Sequence, residues 1–424
     1  MKKILIISSH FPPSNLAGVH RSRFFAKHLP DYNWEPIVLT VHEKYYEEQL
    51  DWNLVKLLPK DLKIEKANAF KLNKPRLIGD IGLRAFFQLY KKAKQIIKKE
   101  TIDFLYIPIP SFYVALLGRW LYASTGIRYG IDYIDPWVHY FPGSEKFLSR
   151  HWLSTKLAKF LEPIAVKKAS LITGVAEGYY KGVIERNPGL LNNCVFGAMP
   201  YGGEAEDHKR LREMNIKPYL FSETSEKVRL VYAGAMLPRA YELLELIFQS
   251  IDQNEAHFKG TEFHFIGTGK TPDDKSGFNI RPLAKKYNLW QTIVYEYPER
   301  IPYLDVLAHL NAASGIFILG STEPHYTPSK VYQGILTGKP ILAVLNKLST
   351  AVKVLEGSNG GILVTFNGAD DLGNLKINFL NSFLKFKSFL RSFDISQVNR
   401  SIFNDYSANA VTKQLTELLN KIVP

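Results

Sequence analysis

Pro328-Ser329-Lys330-Val331-Tyr332-Gln333-Gly334-Ile335-Leu336-Thr337-Gly338-Lys339-Pro340 is the most strongly patterned stretch of this 424-residue chain. Ser329 is a favoured N-cap, Gly338 supplies a C-terminal stop and Pro340 bars continuation, so a short helix is expected over Lys330–Thr337. It falls between β-rich runs at Gly315–Leu319 and Ile341–Val344. Strand, loop, helix and strand in that order form the repeat of a parallel α/β sheet. A helix N-terminus presents free N–H groups, and Lys330 adds a full positive charge, which together would seat a diphosphate. Gln333, three residues on, shares the face of Lys330 and can both donate and accept. The same residues also describe an ordinary capped helix.

The pattern extends outward in both directions. In the second half, strands fit Arg229–Ala233, Glu262–Ile266, Ile293–Tyr297 and Gly361–Val364 besides the two already named, with helices at Ala240–Asp252, Pro282–Tyr287 and Tyr303–Ala312. In the first half, strands fit Lys3–Ser8, Glu35–Thr40, Lys63–Lys66, Phe104–Ile107, Arg128–Tyr133, Ser170–Val175 and Cys194–Gly197, with helices at Val19–His28, Ile81–Lys98 and Ser154–Lys168. Between the halves, Glu204 to Glu226 is charged and non-periodic and reads as a linker. The expected architecture is α/β, with two Rossmann-like doubly wound domains facing across a cleft. Their bounds are 1–205 and 226–400, and residues 401–424 form a helix packing back toward the N-terminal domain. Ligands of open α/β sheets bind beyond the carboxyl ends of the strands.

Composition narrows the function. With 46% hydrophobic and 22% charged residues the chain reads as a globular protein. One cysteine, Cys194, leaves no disulfide framework and no Cys-based zinc site, and fits a reducing compartment. No apolar run reaches the length of a membrane span, and the expected location is cytoplasmic. Gly269-Lys270-Thr271 imitates the end of a P-loop, but His264 stands where the motif needs glycine. The first strand runs into Ser9-His10-Phe11-Pro12-Pro13 rather than a dinucleotide-binding glycine turn.

The net charge is +14, and residues 1–200 hold 29 basic against 17 acidic residues, so the excess lies in the first half. It is densest from Lys56 to Lys99, a patch suited to nucleic acid or to an anionic lipid surface. No nucleic-acid motif accompanies it. Leu83, Phe86, Phe87, Tyr90, Ile96 and Ile97 alternate at roughly helical spacing with Arg84, Lys91, Lys92 and Lys94. That pattern describes either an interfacial helix or a core-packed helix with a solvated lysine face.

The helix at Lys330 and the order of motifs around it resemble the GT-B glycosyltransferases, in particular the retaining family 4 enzymes. Phe11-Pro12-Pro13 with Gly18 and Arg21 is similar to the family's first-strand loop, and Asp132-Tyr133-Ile134-Asp135-Pro136-Trp137 to its aspartate-bearing segment. Val231-Tyr232-Ala233-Gly234 and Phe265-Ile266-Gly267-Thr268-Gly269 are similar to its strand-end glycine turns. The resemblance implies transfer of a sugar, with retention, from a nucleotide-diphosphate sugar to a glycan or lipid-linked acceptor in surface polysaccharide, lipopolysaccharide or glycoconjugate synthesis. No metal cofactor and no nucleic-acid partner are implied. It assigns catalytic roles to Asp135, Arg239 and Lys330, and donor contacts to Gly18, Arg21, Gly234, Gly267, Gly269, Glu323, His325, Ser329 and Gln333. A basic first domain would serve a peripheral protein at the inner face of the cell membrane. The family's paired glutamates, eight positions apart, are replaced here by His325 and Gln333, with Glu323 close by. Those replacements leave two further readings, a non-catalytic binding protein and a nucleotide-sugar epimerase.

Overall fold

Short β-branched and aromatic runs bounded by turn formers condense into two wholly parallel sheets. The structure, a computed structural model, describes residues 1–72, 79–139, 145–222, 225–269, 277–324 and 326–424. Strands β1 (Lys2–Ile7), β2 (Trp34–Val41), β3 (Lys63–Ala67), β4 (Phe104–Ile109), β5 (Tyr129–Tyr133), β6 (Leu171–Gly174) and β7 (Val195–Ala198) pair in the order β3-β2-β1-β4-β5-β6-β7. Strands β8 (Val228–Ala233), β9 (Thr261–Ile266), β10 (Val294–Tyr297), β11 (Gly315–Leu319), β12 (Ile341–Asn346) and β13 (Gly361–Phe366) pair in the order β10-β9-β8-β11-β12-β13. Each strand lies within two residues of its sequence-based expectation. In both sheets the order reverses beside the first strand of the series, where open α/β sheets place their ligands.

The chain divides into two units: Met1–Tyr201 with Ala408–Pro424, and Gly202–Ser407. In the first unit, alternate residues of β1 serve opposite faces of the sheet. Leu5 and Ile7 join a core with Phe86, Leu89, Ala93, Leu117, Leu121 and Ala165, so the helices Phe86–Lys99, Ala115–Thr125 and Arg150–Val166 cover that side. Ile4 and Ile6 join Phe25, Trp34, Val411, Leu415 and Leu419, so the helices Ala17–His28 and Ala408–Ile422 cover the other. The closing helix is fastened by polar contacts as well. Lys2 Nζ donates to Val423 O at 2.6 Å, and Trp34 Nε1 donates to Asn420 Oδ1 at 3.2 Å.

Three local readings are corrected. The expected continuous helix Ile81–Lys98 breaks at Ala85 (φ −100°, ψ 0°) into Ile81–Arg84 and Phe86–Lys99. Of its apolar stripe, Phe86 and Ile96 are buried, Tyr90 and Ile97 half-buried, and Leu83 and Phe87 exposed, so only part of the stripe is core-packed. The charged stretch read as a linker contains a helix, Ala205–Glu213, which buries only Asp207, His208 and Leu211 and therefore shows little apolar period. An 18-residue helix at Leu375–Ser392, not anticipated, buries Phe379, Phe383 and Phe386, with Phe383 stacked on Phe258 at 4.2 Å. Its exposed Ile377 and Leu384 spread apolar residues around the axis and blur the period. Lys270 and the dismissed P-loop resemblance lie partly outside the described residues.

Leu419 is fully buried between the closing helix and the first sheet. Leu419→Ala is expected to lower the stability of the first unit by about 2–5 kcal/mol, read as a lower denaturant midpoint.

Candidate functional site

The carboxyl ends of β8 and β9 meet a lysine. Gly234 follows β8 at φ +113° and Gly267 follows β9 at φ +72°, backbone conformations in which a side chain is strained. Their N–H groups donate within the sheet, Gly234 to Ile266 O at 2.7 Å and Gly267 to Tyr297 O at 2.8 Å. Gly269 N–H donates to Pro298 O at 2.9 Å. The amides of these three glycines are thus engaged within the fold. A Cβ on Gly234 would stand 2.8 Å from Lys330 Cε, so the missing side chain is the space Lys330 occupies. The turn beyond Gly267 is held by Glu296, which accepts from Thr268 Oγ1 at 2.7 Å and from the backbone N–H groups of Asn279, Ile280 and Arg281.

Lys330 opens the helix Lys330–Leu336. Its Nζ donates to Tyr232 Oη at 2.6 Å and lies 3.8 Å from the centroid of the same ring. Burial of the ammonium, helped by the charge of Arg300, pushes its pKa down to about 7. Arg300 follows β10, and its Cα is 3.9 Å from where a Cβ of Gly267 would stand. Two cations are therefore held near one pair of strand ends, and an anion placed there would restore the preference of Lys330 for its charged form.

The other residues expected in the second unit are less gathered. Ser329 does not cap: its backbone is helical and its side chain makes no capping bond. Gly338 does close the helix, at φ +69°. On the same helix, Gln333 Oε1 is 3.1 Å from His208 Nε2. Burial lowers the pKa of His208, and an amide oxygen can only accept, so neutral His208 donates and leaves the Gln333 NH2 as a donor. Glu323, beyond β11, is buried and accepts from Ser321 Oγ at 3.2 Å. Arg239 is exposed on the short turn Pro238–Ala240, and its carbonyl accepts from Thr322 N–H at 3.5 Å. No contact joins its side chain to Lys330 among those the structure describes. His325 lies outside the described residues.

In the first unit the structure gives Arg21 a different use from the expected donor contact. It is fully buried and bidentate to Asp132, Nε to Oδ2 at 2.5 Å and Nη2 to Oδ1 at 2.9 Å, while Nη1 donates to the carbonyls of Met199 and Pro200. A ligand phosphate could reach it only by breaking a buried ion pair, which costs about 3–5 kcal/mol. Gly18 likewise has a packing reason: its Cβ would stand 3.2 Å from Pro110 Cδ. Asp135 is exposed just past β5, and its charge, after burial, helps raise the pKa of Tyr201.

His10, just past the end of β1, could from sequence touch donor or acceptor, but such a histidine is more often structural; the structure orients it. His10 Nδ1 is 2.9 Å from Glu48 Oε1, its ring stacks on Tyr46 at 5.0 Å, and Ser14 Oγ donates to the same carboxylate oxygen. Burial opposes ionisation of Glu48, but the bonds and charge of His10 and the Ser14 bond hold its pKa at about 2. The carboxylate thus fixes the imidazole through Nδ1 and directs Nε2 elsewhere. Nothing in the spacing of residues 10 and 48 announces this pair. Among the described residues there is no group of three or more His, Cys, Asp or Glu arranged to hold a metal ion.

No family model and no curated protein matches the chain. Its architecture does match solved structures over nearly its whole length. Sucrose-phosphate synthase from Thermosynechococcus elongatus superposes at a TM-score of 0.65 with 12% identity, covering 100% of this chain and 99% of that one. This is the GT-B fold. HepE of Anabaena, in complex with UDP-glucose, shares the GT-B architecture at a TM-score of 0.64 and 15% identity, covering 99% and 100%. A UDP-forming α,α-trehalose-phosphate synthase from Burkholderia xenovorans follows at 0.62 and 11%, covering 100% of both chains.

Gly234→Ala tests the glycine–lysine packing. The strained φ and the contact with Lys330 are expected to cost about 1–3 kcal/mol of stability in the second unit. Displacement of Lys330 should also weaken binding of a nucleoside diphosphate in a calorimetric titration.

Proposed function

We propose that this chain is a glycosyltransferase that takes its sugar from a nucleotide-diphosphate sugar bound on the second unit. The observation that carries the reading is Lys330, held with lowered pKa between Tyr232 and the Gly234 turn and within the field of Arg300. Breaking the bond between sugar and diphosphate builds negative charge on the leaving group, and cations already in place for it lower the barrier. Lys330 and Arg300 meet that charge, and transfer on this account needs no metal. The Gln333 amide, oriented by His208, donates to a hydroxyl of the ribose. Uridine is the first base to test, because HepE holds UDP-glucose and the trehalose-phosphate synthase forms UDP.

On this reading the first unit receives the acceptor, a glycan or lipid-linked glycan of surface polysaccharide or glycoconjugate synthesis. Asp135 and the Glu48-held His10 stand at its strand ends as polar contacts for the acceptor hydroxyls. The resemblance to family 4 implies retention of configuration. Gln333 in place of a glutamate favours a second reading, a protein that binds the nucleotide sugar without turning it over. Product formation with an acceptor extract separates the two.

Thermal unfolding with a panel of nucleoside diphosphates and their sugars tests the donor site. A ligand at about a hundred times its Kd adds roughly 2.7 kcal/mol of stability. A rise confined to one base, with affinity about ten- to a hundredfold weaker in Lys330→Met, is the expected result. No response to any nucleotide would remove the reading.

Proton linkage offers an independent check. At about pH 8 a lysine of pKa about 7 is mostly neutral, and a bound diphosphate favours its ammonium form. Binding should therefore take up a proton and weaken as the pH rises from about 7 to 9. Titration calorimetry in buffers of different ionisation enthalpy measures the uptake, which Lys330→Met should abolish.

A further inference from the structure

The helix Arg150–Val166 is apolar on two sides. Ala158, Glu162, Ala165 and Val166 face inward and are buried. Leu153, Leu157, Phe160 and Ile164 recur at steps of four, three and four residues, which sets them in one stripe along the opposite side. They are 50%, 43%, 67% and 40% exposed. Surface helices of globular proteins ordinarily turn charge to that side.

The stripe runs on to the neighbouring helices. Ile164 shares a groove of about 450 Å³ with Tyr90 of the Phe86–Lys99 helix and with Arg119 and Trp120 of the Ala115–Thr125 helix. Trp120 is 43% exposed and meets Phe86 edge-on at 5.0 Å, and beside it Phe87 is 57% exposed. These three helices share one side of the first sheet, so the apolar surface is continuous across elements of a single unit.

The charge around the stripe has one sign. The three helices contain nine basic residues and one acid, Glu162. That carboxylate faces inward and is bidentate to Arg186 at 2.8 and 2.9 Å, so it offers nothing outward. Arg150, Lys156 and Lys159 border the stripe on its own helix, and Lys91, Lys94 and Lys98 are exposed on the Phe86–Lys99 helix.

We propose that this face of the first unit docks on an anionic lipid bilayer. Leu153, Leu157, Phe160, Ile164 and Trp120 would enter the boundary between headgroups and acyl chains, while the surrounding lysines and arginines meet lipid phosphates. A second copy of the chain is the poorer occupant, because a two-fold contact would oppose one cationic face to another. A nucleic acid would answer the charge but would leave the leucines and isoleucine without an apolar partner. The proposal deepens the reading of a lipid-linked acceptor by assigning the surface that brings the enzyme to it.

Co-sedimentation of the full chain with vesicles tests the assignment, using equal parts phosphatidylglycerol and phosphatidylcholine against phosphatidylcholine alone. Partition should be at least about tenfold stronger on the anionic vesicles and fall with added salt. The double variant Leu157→Ser/Phe160→Ser should lose about tenfold or more of it, and Lys156→Ser/Lys159→Ser should both weaken partition and reduce its salt dependence. All four positions are exposed, so each variant should keep the wild-type melting temperature and nucleotide response. That response separates failure of the docking proposal from failure of the donor-site reading. Absence of binding to anionic vesicles overturns the proposal, as does wild-type partition by the leucine–phenylalanine variant. So does a dimer, seen by sedimentation, that the same variant dissolves.

Discussion

A parallel sheet cannot leave either face to water, because its crossovers lay helices on both sides and its strands are apolar on both. In this chain that requirement governs where every functional group sits. All strands run the same way, so the loops that follow them gather at one edge of each sheet. At that edge of the second sheet, Gly234 and Gly267 turn the backbone through positive φ, and Lys330 fills the space that Gly234 leaves. At that edge of the first, His10 and Asp135 emerge from the ends of β1 and β5. Helical cover on the far side of the first sheet is completed only by residues 408–422.

The two units handle positive charge in opposite ways, Arg21 fully buried and Lys330 half-buried. Arg21 is matched inside the protein: its guanidinium has a carboxylate and two carbonyls, and its charge is locked in. Lys330 has a phenol hydroxyl, a ring face and a more distant carbonyl, but among the described residues no carboxylate, and Arg300 disfavours its charge further. A cation left short of compensation is poised to bind an anion, whereas one already compensated holds the fold together. Residue type alone does not separate these roles; the partner does.

That distinction explains how far the sequence could be read. Strands were legible because each is a short apolar run between turn formers, and β11 falls at Gly315–Leu319 as expected. Lys330 was legible because Ser329 and Gly338 bracket its helix, although Ser329 makes no cap. The pairing of Arg21 was not legible, because its carboxylate is Asp132, 111 residues away. Arg300 carries no local signal, since it reaches the site only through the pairing of β10 with β9. The bond between His208 and Gln333 spans 125 residues and starts from a helix whose apolar face is too narrow to show a period. Local chemistry was visible; long-range pairing was not.

The closing helix has a consequence for how the protein is made. Residues 202–407 form a unit of their own, while 408–424 belong with 1–201. As the chain leaves the ribosome, the second unit can complete its sheet first. The first sheet, although translated earlier, has only the helix Ala17–His28 on the face that the closing helix shares, and its β6–β7 end and Trp34 wait for cover until that helix has been synthesised. A nascent chain in that interval carries an apolar surface that holding chaperones recognise. Translation that stalls beyond residue 407 would therefore leave one finished unit tethered to one whose sheet is incompletely covered.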